Sequence, residues 1–240
     1  MNDVILTDRK TDFRQGARDG VPIALGYFAV SFTFGMAASR DGIGAFWSAL
    51  TSLLCLSSAG QFAGLEVIVA GGSFLELALT QLVINLRYLL MSFSLSAKLS
   101  SGISTAPRLL MAHGVTDEIF AISVCRRHLT PWYTWGAMAV AVPGWTGGAL
   151  VGGILGEILP GFLLSAFGIA IYGMFLAIIL PPAGEDRAIL AVVLAAMALR
   201  AILSWTPVLK NISSGFAIII VTVLVAGIAA LLHPHAEEPS

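Results

Sequence analysis

Apolar residues in this chain run continuously instead of alternating, in blocks of about 20 separated by short links. About seven apolar segments stand out, near 21–38, 46–70, 74–97, 132–156, 161–181, 188–206 and 212–232. A helix needs about 20 mostly apolar residues to cross a bilayer, whereas a barrel strand needs about ten and alternates. In lipid, each backbone polar group must be bonded inside its own segment, so runs of this kind predict helices. Breakers fill the links: Asp41-Gly42, Gly71-Gly72, Pro160-Gly161 and Pro181-Pro182-Ala183-Gly184. The pattern predicts an all-α, polytopic integral membrane helix bundle. Its parts are a polar cytoplasmic tail over 1–19, a single transmembrane domain over 20–232 and a polar C-terminal tail over 233–240.

One segment is ambiguous. The middle of 46–70, Leu56-Ser57-Ser58-Ala59-Gly60-Gln61, is small and polar enough to break a helix. It reads either as a plain span or as a re-entrant pair. Charge bears on the choice, because short cytoplasmic loops are rich in Lys and Arg. The tail carries Arg9, Lys10, Arg14 and Arg18, and the segment 98–131 carries Lys98, Arg108, Arg126 and Arg127. Both are expected in the cytoplasm, yet three full crossings between them would place them on opposite sides. A re-entrant 46–70 removes the conflict. Within 98–131, an apolar pattern over Leu109–Val124 predicts amphipathic helices at the membrane surface or in a polar cavity. His113-Gly114 should stop the first, Thr116 should cap the second, and Thr130-Pro131 should open the next span.

Composition agrees and narrows the class. The 240 residues are 57% hydrophobic and 11% charged, with mean hydropathy +0.88, against about 25% charged residues in soluble domains. The first 19 residues lack the apolar core of a cleavable signal peptide, so the first span is expected to remain. A net charge of −1 makes no basic face for nucleic acid. Cys55 and Cys125 read as packing residues, and His233-Pro234-His235 as a solvated tail. There is no G-x-S-x-G, H-E-x-x-H, P-loop or dinucleotide fingerprint. The chain is expected to be neither an enzyme nor a holder of a cofactor or metal. Any transport should be driven by a gradient or by exchange.

Ionisable groups in membrane segments are costly and so mark functional candidates. These are Glu66, Glu76, Arg87, Arg200, Asp117 and Glu118. Glu76 suits a helix start, and Arg200 can snorkel to the surface. Asn85 and Arg87 lie near the middle of their span, with Gln81, Asn85 and Tyr88 on one face. Arg87 either locks helices through a partner such as Glu66 or serves a solute path. The stretch Ser57 to Gly64 is either a close-packing site through Gly60 and Gly64 or a broken helix whose amides and hydroxyls hold a carboxylate.

Four motifs then point to one family: Ser58-Ala59-Gly60-Gln61-Phe62, Asn85-Leu86-Arg87-Tyr88 with Ser94-Leu95, Thr116-Asp117-Glu118-Ile119-Phe120, and Gly144-Trp145-Thr146-Gly147 leading to Gly152 and Gly156. Their order and spacing over about residues 16–182 resemble the AzlC-type branched-chain amino acid permeases, the large subunits of two-component exporters. Tyr88 departs from the His that often follows N-L-R in that family. The resemblance implies export of Leu, Ile, Val and Met from the bacterial inner membrane, with a small hydrophobic AzlD-like subunit. The chemistry of the side chains makes Ser58, Gly60, Gln61, Asn85, Arg87, Tyr88, Asp117 and Glu118 the candidate substrate contacts, with Glu66 and Asp117 as candidates for proton or ion coupling. A transporter of another small amphipathic solute and a non-transporting scaffold are the alternatives.

Overall fold

A computed structural model describes residues 9–99, 102–126, 128–158, 176, 180–181, 183–206 and 212–232. Among them the chain is helical: α1 (Arg9–Arg40), α2 (Ala45–Leu54), α3 (Ser58–Val69), α4 (Phe74–Lys98), α5 (Thr105–His113), α6 (Asp117–Val124), α7 (Pro131–Ile158), α8 (Arg187–Trp205) and α9 (Ser214–Leu232). Five of these, α1, α4, α7, α8 and α9, are long and apolar enough to cross a membrane. The expected 46–70 segment is not one helix but two short ones. The expected 161–181 segment lies almost wholly outside the described residues. The chain forms two compact units, one from 1–61 and 86–168, the other from 62–85 and 169–240.

The first unit is built on α1 and α7. Glycine recurs on α7 at 136, 144, 148 and 152, at helical spacing, and there the α1 backbone comes close. A Cβ added at Gly136 would sit 2.1 Å from the Phe13 carbonyl oxygen, and at Gly148 2.4 Å from that of Phe28. Gly144 and Gly152 face Ala24 and Phe32 in the same way. Numbers on the two helices rise together, so α1 and α7 run parallel in backbone contact, the packing that small residues permit in membranes. This contact also holds α1 helical well before the apolar boundary near residue 20. Gly16 and Gly20 already lie on Tyr133 and Ala137, and the first turns are held to α7.

Polar contacts bind three chain segments at one end of this unit. Thr130 Oγ1 donates to the buried Asp12 at 2.6 Å, and Arg126 approaches the same carboxylate at 3.5 Å. The Tyr133 hydroxyl donates to Asp19 at 2.7 Å. The end of α4 joins them: the Lys98 ammonium donates to the Val124 carbonyl, and Leu99 bridges to Leu129. The start of α1, the end of α4 and the start of α7 therefore share one end. A crossing by α1 and a return through α4 would leave residues 45–69 with no net crossing, the re-entrant arrangement expected from the distribution of Lys and Arg. Helices α2 and α3 rise only about 15 and 18 Å, too short to span a core of about 30 Å singly.

The expected breaks within 98–131 are present. Helix α5 ends at His113 and is followed by Gly114, Thr116 caps α6 by accepting from the Ile119 N–H at 3.4 Å, and Thr130 accepts from Tyr133 N–H at 3.3 Å above Pro131.

In the second unit Glu76 does more than face its own helix dipole. It is 5% exposed and accepts the Gly215 N–H at 3.1 Å and the Ser213 hydroxyl. The carboxylate thus caps α9 from α4, supplying acceptors that the first turn of α9 would otherwise lack. Arg200 is exposed and donates to Ser204 at 3.1 Å, one turn along α8.

Candidate functional site

Two helix starts meet in the first unit. Helices α2 and α3 are separated by Cys55-Leu56-Ser57, and Ser57 Oγ accepts the Gly60 N–H at 3.2 Å, opening α3. Helices α5 and α6 are separated by Gly114-Val115-Thr116, and Thr116 opens α6. Each start leaves amide N–H groups without intrahelical acceptors, the positive end of a half-helix.

Two tyrosines join the starts. The Tyr27 hydroxyl contacts Thr116 Oγ1 and donates to Glu118 Oε2 at 2.7 Å. The Tyr88 hydroxyl lies beside the Ser57 side chain and receives a 3.4 Å contact from Arg87 Nη2. Arg87 Nη1 pairs with Asp117 Oδ2 at 2.9 Å, with the two side chains 46% and 42% exposed. The guanidinium also lies 5.1 Å over the Tyr88 ring.

Behind these groups the network continues without a gap. The Tyr27 ring meets Trp145 edge-on at 5.0 Å. Trp145 Nε1 donates to Gln61 Oε1 at 3.0 Å, and Gln61 Nε2 donates to Ser52 Oγ at 2.7 Å. Tyr27, Gln61 and Trp145 are each less than 7% exposed. Such a chain links α2, α3, α7, α1 and α6 and fixes the break at Ser57, because Gln61 ties α3 back to α2. Leu56, inside the break, packs with Tyr27, Ile119, Met138 and Trp145. The inner wall is buried and hydrogen-bonded, whereas the outer rim bears accessible charge.

The rim carries both signs. Burial raises the Asp117 carboxyl above its ordinary value, Arg87 pulls it back down, and Glu118 pushes it up. Arg87 with the amides of α3 and α6 can hold an anion, and Asp117 with Glu118 a cation. Among the described residues no three His, Cys, Asp or Glu side chains converge as a metal site would require.

The expected residues separate into groups. Ser58, Gly60, Gln61, Arg87, Tyr88, Asp117 and Glu118 belong to this one neighbourhood, with Gln61 part of the wall. Asn85 and Glu66 belong to the other unit: Asn85 donates to Gln81 Oε1 at 3.1 Å, one turn back on α4, and Glu66 is exposed on α3. Gly64 also lies there, packed on Gln81 and Leu77. Arg87 locks to Asp117, a partner that spacing along the chain did not suggest. Tyr27, Trp145 and Ser52 were missed as site residues. The available signal was the phenol and the indole in apolar helices, since a buried O–H or N–H needs a partner.

The AzlC protein family model matches residues 22–159, the stretch that carries every group of this site. The chain belongs to the AzlC family. It is similar to the inner membrane protein YgaZ of Escherichia coli, at 28% identity over 70% of this chain and 72% of that protein. An uncharacterized membrane protein of Archaeoglobus fulgidus is 31% identical over 70% of this chain and 75% of its own length. One from Helicobacter pylori is 29% identical over 46% of this chain and 50% of its own. No solved structure matches. With five helices among the described residues long and apolar enough to cross a membrane, this member of the family is a multi-pass membrane protein.

Proposed function

We propose that this AzlC-family protein exports the branched-chain amino acids Leu, Ile and Val, and also Met, across a bacterial inner membrane, driven by a gradient and assembled with a small AzlD-like subunit. The observation that supports this reading is the Arg87–Asp117 pair at the meeting of two helix starts. A zwitterionic amino acid carries the same two charges on neighbouring atoms. Inserted between the pair, its carboxylate takes Arg87 beside the positive end of α3, and its ammonium takes Asp117 and Glu118. One ion pair is thereby exchanged for two charge-assisted contacts, so the charges are never left bare in a low dielectric. Arginine suits the task through its planar fork, which grips a carboxylate at two points. The apolar Leu86 and Phe120, neighbours in sequence of Arg87 and Ile119, offer surface for an aliphatic side chain.

The test is leucine efflux from cells loaded with a leucine-containing dipeptide, with and without this chain and its small partner. Export that requires both chains, and that leucine shares with isoleucine and valine but not with charged amino acids, is the expected result. No efflux from the assembled pair refutes the substrate. Full efflux from this chain alone refutes the need for a partner.

A further inference from the structure

The last turns of α4 and the length of α5 enclose a cleft that the transport reading leaves unused. Leu89, Phe93, Leu99, Leu109, Met111 and Val115 line its apolar walls, and its volume is about 210 Å³. Among the residues lining it, Arg108 is the one cation. Its Nη1 donates to Ser96 Oγ at 2.8 Å and its Nε to the Ile103 carbonyl at 3.2 Å, so the guanidinium is fixed in place. Neither ion pair among the described residues involves it. A half-buried guanidinium held only by neutral acceptors favours an anion.

Length identifies the anion's source. From Leu89 to Lys98, α4 rises about 14 Å, close to half of a hydrocarbon core of about 30 Å. The cleft thus starts at the polar end of α4, beside Arg108, and runs inward by the depth of one leaflet. Phe93 and Leu109 are 65% and 66% exposed, so a lipid tail reaches the walls from the side. We propose that this cleft is a binding site for an anionic phospholipid, with one acyl chain along α4 and the phosphate on Arg108. A single fixed charge at the polar end of an apolar cleft matches one headgroup and one tail.

Native mass spectrometry of the purified full chain, titrated with phosphatidylglycerol or phosphatidylcholine, tests the site. Wild-type protein should retain one phosphatidylglycerol in preference to phosphatidylcholine. Arg108→Gln should weaken that adduct about five- to tenfold, the effect of one basic residue at a membrane surface, and Arg108→Lys should retain most of it. Ala112→Phe keeps the charge but fills the cleft, and should abolish the preference even if Arg108→Gln fails to fold. Equal retention of both lipids, an adduct unchanged in Ala112→Phe, or displacement by millimolar inorganic phosphate would overturn the proposal. The first outcome means ordinary annular lipid, the second a site elsewhere, and the third a site for the free ion.

Discussion

Asp117→Asn distinguishes a working charge from a structural one, because the two roles predict opposite changes. Arg87 and Asp117 stand 2.9 Å apart but remain 46% and 42% exposed. An ion pair so accessible contributes about 1 kcal/mol or less. Burial, the largest influence on Asp117, raises its pKa, and Glu118 adds to the rise against the pull of Arg87. The folded chain therefore holds this proton more tightly than the unfolded chain. The resulting stabilisation is full below the ordinary carboxylate pKa and is lost as pH rises through the raised value. At neutral pH the charge is a net burden on the fold, and Asp117→Asn should unfold at the wild-type temperature or slightly above it. Efflux should behave oppositely. Losing a charge-assisted contact of about 1.5–3 kcal/mol to the ammonium slows export roughly 10- to 150-fold. Wild-type efflux should also fall as pH drops through the raised Asp117 pKa, and that acid limb should vanish in the variant. Thermal unfolding in detergent and dipeptide-loaded efflux across pH measure the two arms. A melting temperature lowered by more than about 4 °C, the equivalent of over 1 kcal/mol for a chain of this size, or wild-type efflux with its acid limb intact, refutes the reasoning.

Three other perturbations probe the fold beneath the site. Cysteines introduced near Arg14 and near Arg108 should be labelled from the same side of the membrane, and labelling from opposite sides would rule out the return through α4. Gly148→Val should lose folded protein in size-exclusion chromatography, because the first added carbon already lies 2.2 Å from Ser31 Oγ and 2.4 Å from the Phe28 carbonyl oxygen; normal yield would mean that α1 and α7 separate easily. Trp145→Phe leaves Gln61 Oε1 without its indole donor in a buried setting, so unfolding should ease by about 1–3 kcal/mol, and an unchanged melting temperature would show that the break at Ser57 is held by other means.

Much of this architecture is local in origin and was therefore readable along the chain. Continuous apolar runs dictate helices because lipid offers no other partner for the backbone. Gly114, Thr116 and Pro131 mark boundaries because each acts on the few residues beside it, through a missing side chain, a cap or an absent N–H. The break at Leu56-Ser57 belongs to the same class, and so does the excess of Lys and Arg in 1–19 and 98–131. Pairing between distant segments is a different kind of property. Arg87 and Asp117 are 30 positions apart, and Tyr27 and Thr116 are 89 apart; composition offers several partners for each. Their meeting is decided by how the helices pack, as in the parallel register of α1 on α7, which the glycines at 136, 144, 148 and 152 permit but do not number. Packing of the same kind brings Asp12 to Arg126, and within the second unit it turns Glu76 from a helix-start charge expectation into the cap of another helix. Sequence determined which residues are helical, where helices break and which groups are too polar for lipid to leave alone. Only the tertiary structure decided which of those groups face one another, because helix-on-helix register is set by packing summed over the whole interface.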